Sequence, residues 1–136
     1  MITLPQYFAG KPRNQEQEGL ATDLLDRVND LIDEYERDTG WQVMTCPNTG
    51  SQVSGSKNGQ GDGGFRLPTA TTGSLHSSHK EARAVDVYDP DNRLEQWVND
   101  DLLEVHGLYR EAPDATPHWV HLTTRPPGSG RRTFEP

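Results

Sequence analysis

The chain has 136 residues, the length of one ordinary domain; only 31% are hydrophobic, and the formal net charge is -8. No apolar run approaches the ~18 residues of a membrane-spanning helix, and the acidic balance argues against nucleic acid as a partner, because phosphate binding calls for clustered Lys and Arg. The single cysteine, Cys46, excludes an intrachain disulfide and a cysteine-rich zinc site.

Residues 1–16 are polar, with Pro5 and Pro12, and are expected to form an extended arm. Met1 to Gly10 has neither a basic n-region nor a long apolar stretch, so no standard secretory signal is expected. From Gln17 to Thr39, the residues Leu20, Leu24, Leu25, Val28, Leu31, Ile32 and Tyr35 recur at helical period and form one apolar stripe. Acidic residues cover the other face, and Gly40 supplies the stop. Trp41 to Cys46 alternates like a short strand. Asn48 to Gly64 is rich in glycine, Ser, Asn and Asp and predicts a long loop, a length that is usually functional or disordered.

Ala84 to Tyr88 predicts a second strand, closed by Asp89-Pro90-Asp91. A second helix is expected from about Asn92 to Val105, with Leu94, Trp97, Val98, Leu102 and Val105 on one face and Gly107 after it. Leu108–Glu111 and Trp119–Thr123 predict a hairpin across the turn residues Ala112 to Pro117, with Asp114 as a turn former. Residues 125–136 form a polar tail whose Arg125, Arg131 and Arg132 are expected to be solvated. This order predicts a single α+β domain over 1–136, a small antiparallel sheet with two main helices.

The chemistry concentrates around histidines. His79 stands at the edge of a loop, and Asp86 follows seven residues later inside the apolar strand, between Val85 and Val87. A strand carboxylate placed this way needs a partner, because burying it unpaired is costly. His121 lies between Val120 and Leu122 in the later strand, again a polar group at an apolar site. Two His and one Asp make a three-ligand zinc set that leaves a fourth position open, the catalytic rather than the structural arrangement. Such a zinc would acidify a water and polarise a carbonyl. Cys46 is expected to be a small buried residue, and His76 and His106 to be surface or supporting groups.

The pattern Ser77-x-His79-x-x-Ala82-x-Ala84-x-Asp86, followed by Trp119-Val120-His121, resembles the signature of the D-alanyl-D-alanine metallopeptidases. These belong to the superfamily of lysostaphin-type peptidases, D-Ala-D-Ala peptidases and the hedgehog signalling domain. The resemblance spans roughly residues 41–134. It looks closest to the small phage-type branch, which shares a Pro-Pro-x-Ser-Gly-Arg-Arg ending like Pro126 to Arg132. It implies a zinc enzyme cutting an amide bond of peptidoglycan stem peptides through a zinc-activated water, as a D,D-carboxypeptidase or an endolysin-type endopeptidase. The implied ligands are His79, Asp86 and His121, held in a hedgehog-like fold.

The family's glycine after the first His is Ala82 here, a change tolerated unless φ is positive. The cation steadying the oxyanion is Arg66, or Lys57 in the stretch Val53-Ser54-Gly55-Ser56-Lys57, and Ser78 joins them as a substrate-binding candidate. For the general base, Glu111 can face His121 across the hairpin. His118 has the spacing of a Glu-x-x-His motif but needs a bulge to reach the site. Synthesis in the cytoplasm, action on the cell wall during phage lysis or from a virion, and a monomer are expected. The alternative is a non-catalytic zinc domain of the same fold used for binding or phage assembly. On either reading a metal would add folding free energy that so thin a core lacks.

Overall fold

The computed structural model describes residues 1–56, 63–70 and 77–135. Helix α1 (Leu4–Phe8) is followed by the long helix α2 (Gln15–Thr39), strand β1 (Ala84–Tyr88), and short helices α3 (Arg93–Trp97) and α4 (Asp100–His106). Strand β2 (Tyr109–Glu111), a 3₁₀ turn at Pro113–Ala115, strand β3 (Trp119–Thr123) and strand β4 (Thr133–Phe134) complete the fold. The class is α+β, with a four-stranded sheet ordered β1-β3-β2-β4. Among the described residues, no helix is long and apolar enough to cross a membrane.

Helix α2 follows from its sequence. Asn14 and Gln17 form a reciprocal capping box, and Gly40 closes the helix at φ 75°. The stripe Leu24, Leu25, Val28, Leu31, Ile32 and Tyr35 is buried and joins one core with Val85, Val87, Val120 and Leu122. One face of β1 and β3 therefore packs on the helices. Side chains alternate along a strand, so Asp86 and His121 point to the other face.

The structure departs from the sequence-based expectations in five places. The expected arm contains α1, capped by Thr3 and Gln6, with Ile2, Tyr7 and Phe8 buried. Its anchor is Asn29, a polar residue on α2, whose side chain accepts from the Ile2 N–H and donates to the Ile2 carbonyl. Residues 41–45 do not form a strand, and Cys46 makes only an isolated bridge with Ser51; the Val43 N–H is taken by Glu36 Oε2 and its carbonyl by Gln52 Nε2. The expected helix from Asn92 to Val105 is two helices. Val98 is extended, and Asn99 caps α4 by accepting from Leu102 N–H.

The C-terminal stretch is not a free tail, since β4 pairs in parallel with β2 and makes the sheet mixed rather than antiparallel. Arg131 is exposed, as expected, but the other two basic residues are tied down. Arg132 stacks on Tyr109 and donates to the Leu108 carbonyl, while Arg125 pairs with Glu81 at 2.6 Å.

Candidate metal centre

Register puts the chemistry in a row. β1 and β3 pair antiparallel with Asp86 opposite His121. β3 and β2 pair with Tyr109 opposite Thr123 and Arg110 opposite Leu122, and alternation along both strands sets Glu111 on the same face as His121. β2 and β4 then set Glu111 opposite Phe134. Cross-strand neighbours share a sheet face, so Asp86, His121, Glu111 and Phe134 form one line across four strands. All four line a cleft of about 400 Å³, as do Trp119 and Thr123, each two residues from His121.

His79 closes the group from the loop before β1. His79 Nε2 lies 3.2 Å from His121 Nδ1 and 3.3 Å from Asp86 Oδ1, and His121 Nδ1 lies 2.9 Å from the same oxygen. All three residues are buried, and together they could hold a metal ion. The fit can be tested by size. Zn–N bonds near 2.05 Å in a tetrahedron put ligand atoms about 3.3 Å apart, close to this triangle. The donor chemistry also agrees. A carbonyl only accepts, so His79 Nδ1–H donates to the Gly64 carbonyl at 3.0 Å, which makes Nε2, the ring atom facing Asp86 and His121, the one that would give up its proton to bind a metal.

Electrostatics reinforce the arrangement. Burial alone would raise the Asp86 carboxyl, yet the charge and hydrogen bonds of His79 and His121 outweigh it and hold Asp86 well below the usual carboxylate range. For His121, burial pushes downward, but Asp86 and then Glu111 outweigh it and raise the imidazole above its ordinary value. Arg66 stands 3.9 Å from Asp86 Oδ2, on the oxygen that the histidines do not use.

The remaining expected site residues separate clearly. Arg66, Ser78 and Glu111 line the cleft together with the three histidine and aspartate groups. His118 does not; it is exposed, and its Nδ1–H donates to the Pro90 carbonyl at 3.2 Å. Three residues along a strand reverse the face, and the φ of 73° at His118 turns the chain away instead of bulging it toward the cleft. Lys57 and His76 lie outside the described residues. His106 is 3.2 Å from Glu34 on α2, away from the cleft. Cys46 is buried, as a small apolar residue would be.

Sequence reasoning missed Trp119 and Thr123 as cleft residues, although strand parity with His121 was a usable signal. It also missed Arg125, Phe134 and the pair Gly63-Gly64, for which only the glycine doublet gave any hint. No family model, curated protein or solved structure matches this chain.

Proposed function

We propose that the chain is a zinc-dependent peptidoglycan peptidase of the D-alanyl-D-alanine metallopeptidase type, with a hedgehog-like fold, hydrolysing an amide bond of the stem peptide. The observation that carries this reading is the row Asp86, His121 and Glu111 across three strands, with His79 completing the ligand set inside an open cleft. A carboxylate placed beside three ligands is what a hydrolase needs and a purely structural site does not. Zinc held by His79, Asp86 and His121 would supply Lewis acidity, acidifying a water and polarising the scissile carbonyl.

The chain's own groups do the rest. Glu111 takes a proton from the attacking water and passes it to the amine as the C–N bond breaks. Arg66, which lines the cleft, balances charge on the carbonyl oxygen. Ser77 and Ser78 offer hydroxyls to the peptide backbone, and Trp119 and Phe134 give it apolar walls. Arg125, anchored on Glu81, adds a second cation suited to a carboxylate-bearing stem peptide. The setting we propose is phage lysis or a virion-borne wall enzyme.

A second reading, a non-catalytic zinc domain for binding or assembly, is favoured by one observation. The ligands come from a loop, β1 and β3, so a metal would also staple the fold. Digestion of purified peptidoglycan, with fragments identified by mass, separates the two. The peptidase releases new amino termini, loses this with a chelator, and identifies its bond as a carboxypeptidase or endopeptidase target. Zinc binding without any new termini would leave the binding domain.

A further inference from the structure

Within the four consecutive residues Gly63 to Arg66, the backbones of Gly63, Gly64 and Arg66 hydrogen-bond to Asp86 or His79. The Gly63 carbonyl accepts from the Asp86 N–H at 2.7 Å, and the Gly63 N–H donates to the Ser54 carbonyl, whose own N–H donates to the Asp86 carbonyl. The Gly64 carbonyl accepts from His79 Nδ1–H. The Phe65 N–H donates to the Tyr7 carbonyl at 3.0 Å, and the Arg66 N–H donates to the His79 carbonyl at 3.2 Å. Both glycines are required by space. A Cβ on Gly63 would stand 2.5 Å from the Ser54 carbonyl oxygen and 2.6 Å from Asp86 Cβ, and one on Gly64 would run into the Tyr7 carbonyl oxygen. Those obstacles are backbone or strand atoms, which cannot swing aside.

We propose that Gly64 is a positioning residue of the metal centre. Wedged against Tyr7 of α1, its carbonyl selects the Nδ1–H tautomer of His79 and aims Nε2 at Asp86 and His121. An imidazole with a fixed outer hydrogen bond is a better-ordered ligand, and losing such a bond typically lowers metal affinity 10–100-fold. Helix α1 thereby reaches the ligand set through one backbone contact. The proposal rests on the metal-centre reading above, though its first test needs no metal.

In the metal-free full chain, long-range ¹H–¹⁵N NMR of the His79 ring reads the tautomer directly. The expected result is Nδ1–H in the unaltered protein and a mixed or Nε2–H ring in Gly64→Ala. An Nε2–H ring in the unaltered protein overturns the proposal, and this holds even where Gly64→Ala fails to fold. Zinc and cobalt titrations supply the second readout. Gly64→Ala is expected to bind each metal 10–100-fold more weakly, with an altered cobalt absorption spectrum. Two controls separate positioning from plain destabilisation. Tyr7→Phe removes the bond from the Tyr7 hydroxyl to the Ala84 carbonyl but keeps the Tyr7 backbone, and Gly128→Ala adds a methyl in open space on the cleft wall. Both are expected to keep the unaltered affinity. Equal losses in Gly64→Ala and Tyr7→Phe would overturn the proposal. A protein that shows the expected tautomer but binds no metal would defeat the peptidase reading and leave the positioning of His79 standing.

Discussion

Two non-glycine residues near the site sit at positive φ, with opposite consequences. Ala82, at φ 60° and fully buried, closes the turn that carries His79 into β1. Its conformation is one an L-residue adopts at a cost of about 1–2 kcal/mol. Ala82→Gly relieves that strain but loosens the unfolded chain and empties a methyl site, so its stability should stay within about 1 kcal/mol. Ala82→Val places a β-branched residue where it does not fit and should cost more than about 2 kcal/mol in urea melts. His118, at φ 73°, is turned out toward Pro90, which leaves Glu111 as the carboxylate beside the ligands. Glu111→Gln should lower muropeptide cleavage roughly 10²–10⁴-fold while zinc content stays constant, and His118→Ala should change cleavage little. A reversal of that order would give the base role to His118.

At the scale of elements, what was legible was what periodicity controls. The α2 stripe and the strand Ala84–Tyr88 announce themselves because apolar spacing is imposed by the geometry of a helix or strand. The capping box of α2 is similarly local, and Asn14→Ala should cost about 1 kcal/mol, read as a lowered melting temperature. Short elements were harder. Helix α1 is one turn long and stands on burial of Ile2, Tyr7 and Phe8 and on Asn29, none of which five residues can advertise. The two-residue β4 exists because β2 offers it an edge, and it delivers Phe134 to within 6.3 Å of the His121 ring centroid. Phe134→Ala should raise KM several-fold with little change in metal affinity, which steady-state kinetics beside a zinc titration would show.

The whole molecule combines a large polar surplus with a buried triangle of residues that could hold a metal ion. A metal held by His79, Asp86 and His121 would join segments 42 residues apart in sequence, and its binding free energy would become folding free energy. Chelation should therefore lower the melting temperature, and an unchanged melt would contradict a stapling role. The pH dependence of the metal-free protein follows from two shifts of opposite sign. Asp86, depressed, contributes stability present above its unfolded value near 3.9 and lost as pH falls through its lower folded value. His121, raised, contributes stability complete below about 6.5 and lost as pH rises through its higher folded value. The chelated protein should thus melt highest between about pH 4 and 6.5. Zinc needs His121 deprotonated, so the gain in melting temperature on adding zinc should grow from pH 6 to pH 8. Paired melts across that range check both trends.

By itself, the sequence determined the α+β class, the long helix and the presence of three polar ligand candidates, two of them inside apolar strands. Those are local properties, set by spacing along the chain and by the cost of burying an unpartnered charge. Only the tertiary structure decided that Glu111, not His118, stands beside His121, that the amino-terminal segment and the tail are built into the fold, and that Gly63 and Gly64 press against the ligand set. Strand register, parity at a turn and the close approach of two backbones arise from contacts between distant segments, and no spacing within one segment encodes them.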